Sequence, residues 1–467
     1  MSLFSKKQNQ YPVVASNSGN QIFALDIGSR KIRLVSGIVD NNNLTITVTG
    51  YQEIQSRGVK NGTVADPQLL ANTIADLIST FQQKFNVEIK SIVTNVCGCY
   101  IKSGSGEGQT TVQNNQITAF DRNAAIKDAQ DSVSNINLNE YSIVHIIPQE
   151  YESGSNKNLI NPIGLYARKL VAKVHFIACN KIYLKNVDMI IRNVSNTIES
   201  TSIVFDGNAA ASLVLSDSDK ELGCLLVDIG ASTTTITLFA ERNQKLSFGI
   251  SEGGDFITKY IASSLRIDMR EAEYIKIKYG QANPKRLENS DQASDDVMYE
   301  LRQTNPSLPV ISRTDLSRLI SQAVYEMFTS ILRELENKID NREKNKIKYK
   351  LDAGVVLVGG GSHLKDIANL VEWVIFKNNE SNKYSQVKLS PKAKLGLPIG
   401  VKAYNSALER PEELNYPDKA VALGIIRSHI ADNPNQFSKT DGIGYSSGPG
   451  IGSKINAMKN WIKREVF

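Results

Sequence analysis

The chain has 467 residues, 41% of them apolar, which is enough to bury more than one core and excludes a disordered chain. Its formal charge of +6 is mild for that length, and no Lys/Arg stripe gathers in the body, so nucleic acid is not an expected partner. Cys97, Cys99, Cys179 and Cys224 lie in apolar runs without paired spacings, as in a reducing compartment, and no apolar run approaches the ~18 residues a membrane span needs.

Residues 1–20 are polar and Asn/Ser-rich, and are expected to be a disordered lead-in with no hydrophobic signal region. Ile22–Gly37, IFALDIGSRKIRLVSG, then reads as a β-hairpin: an apolar strand ending at Asp26, a turn at Gly28 and a returning strand. A helix is expected from Asp66 to about Phe85, with Asp66 as cap, Pro67 in the first turn and Leu70, Ile74, Leu77, Ile78 and Phe81 on one face. Ile89–Val96 reads as a strand.

From Lys102 to Cys179 the composition changes to a compact insertion: a Gly/Ser loop, a helix over Arg122–Val133, and strands around Ser142–Ile147 and Leu170–Ile177. Cys97-Gly98-Cys99 at its entrance reads as two thiols on one face of a strand, since no His or further Cys lies nearby to complete a metal site. His145 and His175 sit in apolar strand contexts and are expected to be satisfied core or edge residues. Lys181–Val194 reads as a helix returning the chain to the first domain. Asp206 reads as the cap of an Ala-rich helix packed at the bottom of a cleft.

Cys224–Ala240, CLLVDIGASTTTITLFA, repeats the first hairpin, with Asp228 in the place of Asp26, 228 − 26 = 202 positions on. Glycines at Gly28 and Gly230 let backbone amides approach a phosphate closely. A carboxylate at each strand end can hold a hydrated Mg2+, and Ser232, Thr233 and Thr234 offer hydroxyls and amides to phosphate oxygens. Either turn alone is also an ordinary hairpin. Two copies facing each other across a cleft would grip a triphosphate from both sides.

Helices are expected from Gly253-Gly254-Asp255 through Leu265, over Met269–Tyr279 and from Asp315 to about Lys338, with polar residues Gln281–Ser307 as loop or edge strand. Glu273 and Lys276 are i, i+3 neighbours whose bland reading is a surface ion pair. Val355–Val358 runs into Gly359-Gly360-Gly361-Ser362, a buried strand and glycine turn, with helix expected over His363–Phe376; such a unit can contact a nucleotide, though it is neither a Walker loop nor a GxGxxG fingerprint. Tyr416–Ile430 reads as the last helix of the body, and residues 432–453 as a flexible linker. In residues 454–467, KINAMKNWIKREVF, helical spacing gathers Ile455, Met458, Trp461 and Ile462 on one side, flanked by Lys459, Lys463 and Arg464; this is expected to be an amphipathic membrane-surface helix.

The duplicated hairpins resemble the actin/Hsp70/sugar-kinase ATPase superfamily. Several further segments narrow the resemblance to the bacterial cell-division FtsA family, over about Gln21–Phe467: Ser56-Arg57-Gly58 with Gly62, His145–Tyr151 followed by Asn161-Pro162-Ile163-Gly164, the GGD and AExxKxxYG segments at Gly253 and Ala272, the Leu357–Ser362 turn and the C-terminal helix. The resemblance implies an α/β fold of the actin/Hsp70-like ATPase type, two duplicated domains around a nucleotide cleft, with an FtsA-type inserted subdomain. The implied division is 21–101 and 180–218 with 412–431 for the first domain, 102–179 for the insertion that mediates assembly contacts, 219–256 and 351–411 for the second domain core, and 257–350 for its small subdomain.

By position the resemblance places Asp26, Gly28, Ser29 and Lys31 in the first phosphate motif, Asp228, Gly230, Thr233 and Thr234 in the second, and Gly359, Gly360, Gly361 and Ser362 in the adenosine motif. It places Glu273 and Lys276 at ribose and base, and Asp26, Asp206 and Asp228 as positioners of Mg2+ and water. ATP and Mg2+ are the implied cofactors. Ala231, Ser232 and Thr235 replace the family's later Gly, Gly and Asp, and Asp206-Gly207 its Glu-Pro, which implies at most weak ATPase activity. Implied partners are other copies of the chain, an anionic membrane surface, the tubulin-like protein FtsZ (contacted within 257–350) and later membrane proteins of the division machinery, at the cytoplasmic face of the membrane at the division site. The alternatives are an actin-fold small-molecule kinase, for which no substrate base stands out, an Hsp70-type chaperone, which would need more than a linker and short helix after the body, and a PilM-like pilus-assembly ATPase, against which the C-terminal anchor argues.

Overall fold

The structure, a computed structural model, describes residues 21–40, 45–133, 136–283, 298–300, 310–339, 348–381, 386–404 and 410–432. Gln21–Ile27 pairs antiparallel with Lys31–Val39, and Cys224–Ile229 with Thr234–Ala240, in equivalent registers. Around each hairpin the same sheet is built. Ile46–Gln55 extends the first on one side, with Ser91–Val96 and then Ser200–Phe205 added in parallel on the other; Asn243–Ile250, Gly354–Val358 and Ala393–Leu395 take those places around the second. The duplication read from two short motifs therefore extends to the strand order of both halves.

The central strands are apolar along both faces because helices cover both sides. On the first sheet one of these is Pro67–Phe85, begun by the Asp66 carboxylate accepting from the Leu69 amide at 2.9 Å and ended by Asn86 in the left-handed region. Its buried face is Leu70, Ile74, Leu77, Ile78 and Phe81. Between the two sheets, Asp206–Val214 packs against Ala420–Asp432 so closely that a Cβ at Gly424 would lie 2.0 Å from the Ala209 carbonyl oxygen. One core, containing Ala24, Val35, Leu226, Val356 and Leu423, runs through both helices and joins the halves. The chain returns to the first sheet at Val401–Ala403, a sixth strand beside Ile46–Gln55, earlier than the boundary at 412 read from sequence.

The insertion is a four-stranded antiparallel sheet, Ile101–Thr111, Lys169–Asn180, Tyr141–Ser153 and Asn156–Leu159, carrying the helix Ala119–Asp131 on one face. It has its own core of Ala125, Leu170, Val174 and Phe176, among others. The strand keeps Gly108 because the helix backbone lies directly on it, 2.0 Å from where a Cβ would sit. Cys97-Gly98-Cys99 is not a strand: Gly98–Tyr100 forms a 3-10 turn, and Gly98 is pressed on Gly249 of the second half, with its amide donating to Thr235 Oγ1 at 3.0 Å. Ser103 Oγ then donates to the Ser247 carbonyl (2.9 Å) and accepts from the Ser247 amide (2.8 Å). His145 fastens the insertion to the first half, accepting the Phe205 amide at Nε2 (2.9 Å), with Nδ1 3.1 Å from Asp432. His175 is buried in the core as expected, its Nδ1 beside Ser105 Oγ, but its Nε2 has no hydrogen-bond partner among the described residues.

The glycine turn differs from its sequence reading in one respect. Gly360–His363 is a 3-10 turn, and the helix begins only at Ile367 and runs to Ser381. Among the described residues no helix is long and apolar enough to cross a membrane. The lead-in, the linker 433–453, most of Gln281–Ser307 and the tail helix, with Ile455, Met458, Trp461, Ile462, Lys459, Lys463 and Arg464, lie outside the described residues.

Candidate functional site

A cavity of about 750 Å³ lies between the two hairpins, within the range of small-molecule sites. Asp26, Asn95, Asp206 and Asp228 are at its floor, Gly28 to Lys31 and Arg33 on one wall, and Gly230, Ala231, Thr233, Thr235 and Asp255 on the other. Glu273, Lys276, Tyr279, Arg313, Gly359–Gly361 and Lys365 also line it, as do Glu53, Asp418 and Lys419. The carboxylates sit there because Asp26 and Asp228 are the penultimate residues of the central strands of their sheets, and ligands in open α/β sheets bind beyond the carboxyl ends of strands.

Asn95 holds the floor in register. Its side-chain amide donates to Asp26 Oδ1 (3.2 Å) and Asp206 Oδ1 (2.9 Å), while its oxygen accepts the Ile27 amide at 2.8 Å. Asp206 is the first residue of its helix rather than its cap, so its carboxylate is free to join this group. Burial raises all three acids. Asp228 is pushed up to about 7, chiefly by burial and then by the charge of Asp26; burial and the charges of Asp228 and Asp26 hold Asp206 well above the carboxylate range; burial raises Asp26 against the opposing pull of Arg33.

Arg33 ties the floor to a second layer of charge. Its guanidinium reaches Asp26 (3.1 Å), Glu53 (3.2 Å) and Asp418 (2.9 Å) with only 12% of the side chain exposed. Asp418 also meets Lys419 (2.7 Å) and, from the glycine turn of the second half, His363 Nε2 (2.9 Å). Burial would raise Asp418, but the hydrogen bond to His363 and the charges of Arg33 and Lys419 hold it well below the usual range. Glu53 is drawn down to about 2: burial is outweighed by hydrogen bonds from Lys31 and Tyr51 and by the charges of Lys419 and Arg33.

Of the residues singled out from sequence, Asp26, Asp206, Asp228, Gly28, Ser29, Lys31, Gly230, Thr233, Glu273, Lys276, Gly359, Gly360 and Gly361 line the cavity. Ser232, Thr234 and Ser362 do not. The Ser232 hydroxyl donates to Asp255 (3.0 Å), Thr234 to the Glu252 carbonyl (2.7 Å) and Ser362 to the Gly359 carbonyl (2.7 Å), so each braces a turn instead of facing the space. Lys31 reaches the cavity with its ammonium on Glu53. Glu273 and Lys276 are no surface pair: they lie 2.8 Å apart, 17% and 12% exposed, with Lys276 also donating to the Gly254 carbonyl (2.9 Å).

Arg30, Arg33, Glu53, Asn95, Asp255 and Asp418 were missed. Two carried a signal: Asn95 is a polar residue near the end of an apolar strand, and Arg33 is on the same strand face as Lys31. The glycine turn is packed closely against the floor. Gly359 has φ +83°, and a Cβ there would lie 2.2 Å from Asp228 Oδ1; beside it Gly360 has open space where a Cβ would point.

The donor set can be tested against a hydrated Mg2+ with phosphates. Among the described residues no group of three or more His, Cys, Asp or Glu is arranged to hold a metal directly. Mg2+ in phosphate sites keeps several waters and takes one or two carboxylates, and the half-buried Asp228 and buried Asp206, raised by desolvation and by neighbouring carboxylates, are acids that a nearby cation would return to the ionised form. The residues therefore fit that group.

Comparison with known proteins gives a consistent set. A family model described as "Cell division protein FtsA" matches residues 225–424, and one described as "SHS2 domain inserted in FTSA" matches 98–178, the span of the insertion. A "Cell division protein FtsA" of Pseudomonas aeruginosa is 25% identical over 447 residues, 96% of this chain and 98% of that one. One of Buchnera aphidicola subsp. Baizongia pistaciae is 29% identical over 354 residues, 76% of this chain and 81% of its own. Among solved structures, the "PilM-PilN type IV pilus biogenesis complex" superposes with a TM-score of 0.54 at 16% identity, covering 87% of this chain and 97% of that one, a likeness of fold alone. The architecture is that of the actin-like ATPases, with the inserted domain in its expected place.

Proposed function

Because this chain belongs to the FtsA family of cell division proteins, we propose that it binds ATP with Mg2+ in the cleft between its hairpins, polymerises, and tethers FtsZ filaments to the cytoplasmic face of the membrane at the division site. The observation that carries the nucleotide reading is the facing pair of equivalent hairpins, each bringing an aspartate at a strand end and a glycine turn to one cavity.

In this reading the amides around Gly28 and Ser29 and around Gly230 and Thr233 receive the phosphates. Asp26 and Asp228 hold the hydrated Mg2+, which supplies neutralisation of phosphate charge. Asp206, kept in place by Asn95, orients water. Glu273 and Lys276 are positioned for the ribose and base, and Gly359–Gly361 let the backbone approach the nucleoside. Hydrolysis is at most weak, since Thr235 stands where the superfamily has a carboxylate.

Membrane attachment is assigned to residues 454–467. Lys454, Lys459, Lys463 and Arg464 against Glu465 give 4 − 1 = +3. At ~1 kcal/mol per basic residue near an anionic surface one such helix binds modestly, and avidity across a polymer makes the attachment firm. The small subdomain, 257–350, is assigned to FtsZ, and later membrane proteins of the division machinery are recruited to the assembled protein.

The test is co-sedimentation with anionic liposomes of the full chain and of a chain ending at Gly452, each with and without ATP. Pelleting that ATP strengthens and truncation abolishes supports the reading. Undiminished pelleting of the truncated chain in the absence of partners sinks it.

A further inference from the structure

The cavity is bridged at its rim. Arg30 projects from the turn of the first hairpin, and its Nη2 lies 2.6 Å from Asp255 Oδ1 and 3.3 Å from Glu273 Oε1, both in the second half. We propose that Arg30 and Asp255 form a cross-cleft latch that holds the two walls together over bound nucleotide and sets its rate of release. The inference rests on the nucleotide reading above and goes beyond it, because it concerns which contacts must break before the ligand leaves.

Both ends of the pair are anchored. The Arg30 carbonyl accepts the Ser56 amide at 2.9 Å, the Gly28 amide closes the turn on the Lys31 carbonyl at 3.1 Å, and Ser29 Oγ accepts the Gly62 amide at 3.1 Å. Asp255 is in the first turn of Gly254–Leu265; its amide donates to the Ala231 carbonyl (2.7 Å), and its second carboxylate oxygen accepts from Ser232 (3.0 Å). Hence Asp255 is fixed to the turn of the second hairpin as Arg30 is part of the turn of the first. The bridge runs from one phosphate-facing turn to the other.

Its exposure suits a gate. Arg30 and Asp255 are 47% and 38% exposed, so one side of the pair meets water while both residues line the cavity. A pair buried for stability would be closed to solvent, as Arg33 and Asp26 are. The nearby Ser232, which does not reach the cavity, acquires a role here as the brace of Asp255.

Two physical accounts make opposite predictions for one substitution. If Asp255 were a bystander, neutralising it would remove a negative charge beside the phosphates, and nucleotide would leave more slowly. If it is the latch, neutralising it leaves Arg30 only its longer contact to Glu273, at 3.3 Å, and nucleotide leaves faster. An exposed charge pair of this kind is worth ~1 kcal/mol, a factor of about five in rate.

The experiment loads the full chain with a fluorescent ATP analogue (mant-ATP) and Mg2+ and follows release by stopped flow into excess ATP, for the parent protein, Asp255→Asn, Arg30→Ala and Arg30→Lys. The latch predicts about fivefold faster release from Asp255→Asn, similarly fast release from Arg30→Ala, and recovery toward the parent rate in Arg30→Lys. Release from Asp255→Asn as slow as or slower than from the parent overturns it. Failure of the parent protein itself to bind mant-ATP overturns the nucleotide reading, and the latch with it, an outcome distinct from binding with unchanged release.

Discussion

Arg33 lies directly across the first hairpin from Asp26, its guanidinium 3.1 Å from the carboxylate, whereas the same register in the second hairpin sets uncharged Thr235 opposite Asp228. The two halves match in strand order and differ in charge at the point where they face each other. Asp26 is paired within its own hairpin; Asp228, with its pKa lifted to about 7, is, like Asp206, an acid whose charge depends on what enters the cleft.

Stability and ligand binding should therefore depend on pH in opposite senses. In the folded protein without nucleotide, Asp228 keeps a proton that the unfolded chain gives up above ~4, so stability falls as pH rises from about 4 to about 7. Binding of Mg2+ and ATP, which needs the carboxylate, strengthens over the upper part of that range and releases a proton. Titration calorimetry near pH 6.5 in two buffers of different ionisation enthalpy should give different apparent heats for the parent and a smaller difference for Asp228→Asn. Equal heats for the parent would contradict this.

Arg33→Met should cost about 3–5 kcal/mol, the range for removing one partner from a buried charge network, because Asp26, Glu53 and Asp418 all lose a cation. Urea unfolding monitored by circular dichroism measures it. A loss under ~1 kcal/mol would mean that the carboxylates find water or protons at little cost.

The neighbouring glycines should separate cleanly. Gly359→Ala must place a methyl 2.2 Å from Asp228 Oδ1 in a left-handed backbone, so it should lower the thermal midpoint and abolish ATP binding. Gly360→Ala meets nothing within 4 Å and should leave the midpoint unchanged, any effect being on nucleotide affinity alone. Similar midpoints for the two variants would count against the turn as described.

Ser103→Ala should loosen the seat of the inserted domain on the second half. It leaves the amide and carbonyl of Ser247, itself 2% exposed, without their partner, a loss of ~1–3 kcal/mol. Hydrogen exchange should quicken at Ser247 and Phe248 while remaining slow in Cys224–Ile229. Unchanged exchange would indicate that the Gly98–Gly249 contact suffices.

Much of this was legible in the chain. The hairpins carried strong local signals, an apolar run, Asp-x-Gly and a β-branched return, and their repetition implied the duplicated sheets. Pro67–Phe85 followed from its cap and spacing, and Lys181–Val194 was read as a helix with the same bounds that the structure gives. Arg33 was harder to read because a basic residue in a strand ordinarily marks a solvent face, and its burial depends on Asp418, 385 positions away. Cys97–Cys99 read as strand because nothing local reveals that Gly249 will lie against Gly98. Ser232, Thr234 and Ser362 had the right chemistry for phosphate, but neighbouring carbonyls and a carboxylate claimed their hydroxyls first.

The seat of the inserted domain has a mechanical consequence. It is fastened to one half through His145 and Phe205, and to the other through Ser103 and Ser247. With Gln149 on the Gln244 carbonyl and Gly98 on Gly249 and Thr235 as further ties to the second half, the domain cannot remain still while the halves separate. Either some of these ties give way or the body tilts when the hairpins move apart. The seat of the inserted domain and the separation of the two halves are therefore coupled through these contacts.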